Sequence, residues 1–276
     1  MAILNLSHNI TPSVIIKSVM TKIITGTLMV LTSLLSACGS DSKQNSEPNQ
    51  ALLQSLNTQQ LVVVISDDWD ATTASLQKFA WHNSQWQEVD EVFPVNIGRT
   101  GLAWGLGLHP QQTGYYKKEG DGKATAGIFD LTATFGYLPT ATTDMPYQPM
   151  SASHYCMDVN ASPLYNQIVD ESEVGKEAVT GSTEPMRRDI HKEGQSIYKK
   201  GIVLNHNPEN ISGAGSCIFL HLWFGPDVAT AGCTSMQEPE MDKLLAWLDP
   251  DKHPRYIALP KAEYAKKQKA WGLPAL

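Results

Sequence analysis

The chain has no Walker-type phosphate loop, no dinucleotide-type glycine fingerprint and no internal repeat. Nucleotide-driven chemistry and repeat architectures therefore have no signal here. Positive charge is scarce too. Lysine and arginine total 21 against 28 acidic residues, a net charge of −7. A nucleic-acid partner needs a basic patch to neutralise phosphates, so none is expected. The acidic stretch 67–70 (DDWD) has no histidine or cysteine cluster beside it and reads as a turn. No metal and no cofactor are expected. Helical periodicity is confined to one clear segment, 239–249, with Met241, Leu244, Leu245 and Leu248 on one face and Pro239 near its start.

What is present is strand. The run LVVVIS (61–66) is β-branched and reads as a buried strand. A second extended segment covers 91–98, where Pro94 suggests an edge or bulge. From 99 to 136 the chain is glycine-rich, which suggests short strands and tight turns. Further strands are expected at 201–206 and 217–224. The tally is mostly β with a few short helices. The length is ample for a real core, and no linker interrupts residues 61–276, so one domain is expected over 59–276.

Ahead of it, residues 20–38 read as a signal segment. Lys22 precedes an apolar run, 23–35, too short to span a bilayer as a stable helix. It ends in Leu35-Ser36-Ala37-Cys38, which resembles a bacterial lipobox, whose cysteine is lipidated. The alternative is an ordinary cleaved signal with an incidental cysteine. The signal is assigned to 1–38, with Met20 as a second possible start, and a polar, disordered tether to 39–58. The lipobox implies an envelope protein anchored to a membrane through Cys38. Gly39, standing where an aspartate would suggest inner-membrane retention, favours the outer membrane, with the domain in the periplasm. Disulfides are allowed there.

The stretch FLHLWFGPDVATAGCTSM (219–236) carries the chemistry. It begins as an apolar strand holding His221, breaks at Gly225-Pro226, and presents Cys233 on a turn of small residues. A cysteine attacks as thiolate, so a partner must take its proton. A strand histidine can do so and return the proton to a leaving amine. Gly232 removes bulk beside the sulfur, and the N–H groups of Gly232 and Cys233 are candidates for an oxyanion hole. In the strand, His221 shares a face with Phe219 and Trp223. An apolar wall disfavours imidazolium unless a thiolate pairs with it, so an ion pair at rest is expected, with the thiol reacting below the free value of about 8.5. The competing readings are a small buried cysteine and a core histidine.

The segment Thr230-Ala231-Gly232-Cys233 after a strand histidine resembles the active-site motif of the L,D-transpeptidase catalytic domain. The stretch KKEGDGKATAGIF (117–129) resembles that family's upstream segment, and the likeness extends over about 61–260. The resemblance implies a β-sandwich-like fold and cysteine-based acyl transfer on peptidoglycan stem peptides. The chain looks like a divergent branch. Ala231 and Ser235 stand where many members have histidine and arginine.

Other candidates are graded by position. His206 and Asn205 end a strand and are candidates to line the same pocket, with turn capping as the alternative. Arg187 and Arg188 are candidates for a substrate carboxylate, with a solvated surface pair as the alternative, and Thr230 is a candidate substrate contact. Trp104 and Trp223 read as core, with flanking a groove as the alternative. Cys156 and Cys217 are either a disulfide or two buried thiols. Three functions follow: an L,D-transpeptidase; an L,D-carboxypeptidase or amidase on the same scaffold; and a non-catalytic peptidoglycan-binding lipoprotein, which would need neither Cys233 nor His221.

Overall fold

The computed structural model describes residues 51–276. The signal segment, Cys38 and most of the tether lie outside the described residues. The tether is nevertheless shorter than expected, because Leu52–Ser55 is a helical turn whose Leu53 is buried against the domain.

Helix α1 (Leu52–Ser55) precedes β1 (Gln60–Ser66), β2 (Thr73–His82), β3 (Gln85–Asn96), β4 (Leu102–Trp104) and β5 (Ala124–Gly136). There follow β6 (Tyr147–Pro149), β7 (His154–Cys156), β8 (Ile168–Asp170), α2 (Glu171–Val174), β9 (Glu184–Pro185) and α3 (Arg188–His191). The chain continues with β10 (Lys200–Leu204), β11 (Phe219–Leu222), β12 (Thr234–Met236), α4 (Glu238–Trp247), β13 (Arg255–Pro260) and α5 (Lys261–Trp271).

The structure is mostly β, as the sequence suggests, but the main sheet is a single closed ring and not specifically a sandwich. Strands run in the order β10-β11-β12-β3-β2-β1-β13-β5, and β5 pairs again with β10. Closure depends on the length of β5. Its first part, Gly127 to Asp130, pairs with β13, and its second, Leu131 to Gly136, with β10. Short strands and tight turns were expected across 99–136; residues 99–123 hold them, with the three-residue β4, but 124–136 form one long strand that runs through crowded surroundings. A Cβ at Gly201, opposite on β10, would lie 2.3 Å from the Phe135 ring, so this position has room only for glycine.

Burial explains β1. Leu61, Val62, Val63 and Val64 are all fully buried, so no polar alternation is possible. One side of the strand faces the ring interior and the other is covered, α5 packing against β13 and β1. Helix α4 lies against β10 and β11, with Met241, Leu244 and Leu245 buried as their spacing predicts. The acidic stretch 67–70 is a turn, with the Asp68 carboxylate accepting from the N–H of Asp70 and Ala71 at 2.9 and 2.8 Å.

A second sheet, β8-β7-β9, stands apart from the ring. Cys156 of β7 is disulfide-bonded to Cys217, 61 residues on, just before β11. The bridge settles the alternative left by the sequence and clamps the small sheet to the ring. By the chain-entropy argument, such a crosslink restricts the unfolded chain and stabilises by about 2–4 kcal/mol. The double variant Cys156→Ser with Cys217→Ser is therefore expected to lose that much in urea unfolding, as is reduced wild type. Unchanged stability would place the bridge outside the folded core.

Candidate active site

Parallel pairing of β11 with β12 puts Leu220 opposite Thr234 and His221 opposite Ser235. Cys233 is the residue just before β12, so it sits beside Phe219, one step along from the histidine. The thiol and imidazole are thereby brought to one cleft of about 450 Å³, which both line.

His221 is 6% exposed. Its Nδ1 lies 2.7 Å from the carbonyl of Leu222. A carbonyl only accepts, so Nδ1 carries the proton and Nε2 keeps its lone pair. The Tyr198 ring meets the imidazole edge-on at 5.2 Å and also packs on Phe219 at 5.6 Å. Phe219 and His221 share a face, as strand alternation requires.

Cys233 is a free cysteine and 8% exposed. The Phe219 N–H donates to its Sγ at 3.3 Å, and the thiol donates to the Cys217 carbonyl at 3.5 Å. Burial pushes the thiol up to about 12 and pulls His221 down to about 4. The expected thiolate–imidazolium pair is therefore not the resting state. At Cys233 burial, helped by the Glu184 charge, outweighs the Phe219 hydrogen bond and the charges of Lys117 and Arg188; at His221 burial and the Arg188 charge outweigh the Leu222 hydrogen bond, so both groups stay neutral.

The turn carrying Cys233 is set by Thr230. Its hydroxyl donates to the Cys233 carbonyl at 2.6 Å and accepts from the Gly232 N–H at 3.1 Å. Thr230 is thus a scaffold for the nucleophile, and the Gly232 amide is already engaged, which removes it from the expected oxyanion pair. Gly232 is needed for another reason. Its φ is 153°, and a Cβ there would lie 3.0 Å from the Lys123 carbonyl and 3.1 Å from Lys117 Nζ.

That approach shows what the glycine-rich segment does. The Asp121 carboxylate accepts from Lys117 Nζ at 3.0 Å and from the N–H of Lys118 and Lys123 at 2.8 and 2.9 Å. This folds residues 117–123 into a tight loop against the Cys233 turn. Backbone bonds from Arg99 N–H to Thr230 O, 2.8 Å, and from Thr230 N–H to Ile97 O, 2.9 Å, hold the other side. The two sequence motifs meet at one cleft.

The remaining candidates part company. His206 and Asn205 line a neighbouring hollow that shares only Cys217 and Ile218 with the cleft. His206 is 2% exposed and spent at both ring nitrogens: Nδ1 accepts from Leu106 N–H at 3.2 Å, and Nε2 donates to Ala214 O at 2.9 Å. It braces two loops and does not reach the sulfur. Arg187 forms a two-pronged bond with Asp189, at 2.8 and 2.7 Å, and stacks on Tyr137, away from the cleft. Its neighbour Arg188 lines the cleft instead, bonded to Glu184 at 2.8 Å and stacked over Tyr198. Trp104 is core, whereas Trp223 lines the cleft. Tyr198 and Glu184 escaped the sequence reading, because neither sits in a chemical motif and the loop that delivers them is irregular.

Among the described residues, no group of three His, Cys, Asp or Glu is placed to hold a metal, and no helix is long and apolar enough to cross a membrane. Set against models of known families, characterised proteins and solved structures, the chain matches none.

Proposed function

We propose that the protein is a cysteine acyltransferase of the L,D-transpeptidase kind, acting on peptidoglycan stem peptides. The observation that supports this most is the cleft: a free thiol and an imidazole with a free Nε2 lone pair open into it from paired strands. The segments that carry the family resemblance, 117–129 and 230–233, border that same cleft. On this reading the closed sheet is a divergent form of the L,D-transpeptidase catalytic fold. Cys38 carries a lipid that anchors the domain to the outer membrane from the periplasmic side. The disulfide suits that oxidising compartment.

The reaction begins with both groups neutral. As the carbonyl after the L-centre of the donor's diamino acid enters, the thiol proton leaves the Cys217 carbonyl for His221 Nε2 while Sγ bonds to the carbonyl carbon. The Leu222 carbonyl holds the ring and stabilises the imidazolium through Nδ1–H. The Cys233 amide is the remaining candidate donor to the oxyanion. The C–N bond then breaks, and the imidazolium gives its proton to the departing amine of the terminal D-residue. An acceptor amine attacks the thioester, its proton passes to His221, and the thiol re-forms with a new amide in place.

Incubation of the purified protein with disaccharide-tetrapeptides, followed by mass spectrometry, tests this. A cross-linked dimer short of one terminal residue is the expected product. A trimmed monomer would make water the acceptor and the protein a carboxypeptidase. Unchanged substrate would overturn the acyl-transfer reading.

A further inference from the structure

We propose that Arg188 and Ser235 form a carboxylate site beside His221, one that restricts the acyl donor to peptides whose scissile bond lies one residue from a free C-terminus. The proposal rests on the acyl-transfer reading and adds to it the specificity device.

Three cations line the cleft: Arg99, Lys117 and Arg188. The Lys117 ammonium is spent on Asp121 and on the Lys123 carbonyl, at 3.0 and 2.7 Å. Arg99 lies on the side of the glycine-rich loop, its Cγ and Nε 3.0 Å from where a Gly122 Cβ would sit. Arg188 is different. Nη1 bonds to Glu184 at 2.8 Å and Nε to Gln195 at 3.1 Å, while Nη2 has no partner among the described residues. The guanidinium plane lies over the Tyr198 ring at 5.4 Å, and that ring rests against His221 at 5.2 Å. The arginine is thus held rigid from two sides, with one nitrogen left over, in the cleft that His221 also lines. A fixed guanidinium with spare donors suits a carboxylate, and little ordering cost remains when one binds. Asp158, an acid on the same wall, is already engaged by the Thr183 N–H at 2.9 Å.

Ser235 supplies an independent observation. It lines the cleft, stands opposite His221 across β11 and β12, and is 1% exposed. Its hydroxyl has no hydrogen-bond partner among the described residues. A buried polar group without a partner is destabilising and calls for an explanation. A carboxylate oxygen bound beside His221 would complete it. Ser235 is the cross-strand neighbour of His221, and Arg188 lines the same cleft against the Tyr198 ring that packs on His221, so on the acyl-transfer reading the carboxylate they hold belongs to the residue just beyond the amide under attack. Arg187, adjacent in sequence, is excluded because Asp189 takes both prongs of its fork.

Two tetrapeptide donors, identical except for a C-terminal carboxylate or carboxamide, test the site. Wild type is expected to favour the acid by about 10–100-fold in kcat/KM, the range of one charge-assisted contact. Arg188→Gln should bring that ratio to within about 3-fold, chiefly by slowing the acid, because the carboxamide never used the charge. Ser235→Ala should lower the ratio while raising the melting temperature, since the unbonded hydroxyl is gone. A merely structural role would slow both donors alike and would not raise stability. Equal turnover of acid and amide by wild type overturns the proposal and leaves the acyl-transfer reading standing. A preference that survives in Arg188→Gln overturns it too. Should Arg188→Gln fail to fold, the wild-type ratio and Ser235→Ala decide alone. Wild type that turns over neither donor removes the acyl-transfer reading, and this proposal with it.

Discussion

Cys233→Ala is expected to abolish covalent capture of acyl donors and leave the fold intact. With the sulfur gone there is no group to hold the acyl chain, and a loss of at least about 10⁴-fold in turnover is expected for a nucleophile acting within a unit. A carbapenem-type β-lactam gives the direct readout, because ring opening leaves the whole drug mass on the thiol. Wild type should gain that mass and the variant should not. His221→Ala should slow acylation by about 10²–10⁴-fold, the usual share of a positioned base. His206→Ala should act through the fold alone, because both its ring nitrogens are spent on loop backbone. The pH dependence separates this site from one that holds a thiolate at rest. With Cys233 pushed up to about 12 by burial, simple alkylation should be slow at pH 7 and keep climbing past pH 9, with no plateau near the free-thiol value. Substrate acylation should not wait for that pH, since His221 removes the proton only as the carbonyl arrives. An alkylation plateau below pH 8 would restore the ion pair. Normal drug capture by Cys233→Ala, at unchanged stability, would place the nucleophile elsewhere.

The strands that could be read from sequence are those whose burial leaves an unbroken apolar signature. Residues 61–64 are buried on both faces, and 219–222 wholly so. Both appear as runs of apolar residues, which length and β-branching assign to strand. Strand β2 could not be read this way. Its sequence, TASLQKFAWH, mixes exposed and buried positions without strict alternation, because its pairing with β3 shifts register between Leu76 and Lys78. Helix α5 was equally silent, with only Tyr264 and Trp271 buried in eleven residues. At the site, Cys233, His221 and the Thr230 turn lie within one short stretch, so local spacing was enough to pair them. Arg188 could be named as a candidate from its residue type, but not told apart from Arg187, and Glu184 and Tyr198 come with it from a loop anchored through a disulfide that spans 61 residues. No local pattern announces contacts made over that distance. His206 misled for the opposite reason. A polar residue at a strand end looks like a pocket rim, whereas here the strand end is covered by the loops at Leu106 and Ala214.

Acid should unfold this protein well before its carboxylates are titrated. Three histidines, His109, His206 and His221, are each buried and each pulled down to about 4, burial being the largest cause in every case. Backbone hydrogen bonds are a smaller, opposing cause at all three, from Ile128, Ala214 and Leu222. Nδ1 of His109 accepts from the Ile128 N–H at 3.1 Å, and Nδ1 of His206 from the Leu106 N–H at 3.2 Å. The charges facing these rings add little relief. Lys267 lies near His109, Arg188 near His221, and both Lys117 and Asp121 near His206. In the unfolded chain all three titrate near 6.5. The folded pKa lies below the unfolded one, so the unfolded state binds the extra protons. Stability is complete above about pH 7 and is lost as pH falls from about 6.5 towards 4. Three such groups give a slope of at most about 4 kcal/mol per pH unit, against a total of roughly 5–15 kcal/mol for an ordinary domain. Glu184, whose carboxyl burial pushes up, works in the other direction, with one proton against three. Urea midpoints measured at pH 7.5, 6 and 5 should therefore fall steeply over the last step. About two protons net should be taken up per molecule unfolded at pH 5, the histidines taking up more and Glu184 giving part of it back. A midpoint that stays level from pH 7.5 to 5 would mean that water reaches these rings. Imidazole resonances titrating near pH 6.5 in the folded protein would say the same, and His221 would then be a base already charged at the pH where acyl transfer begins.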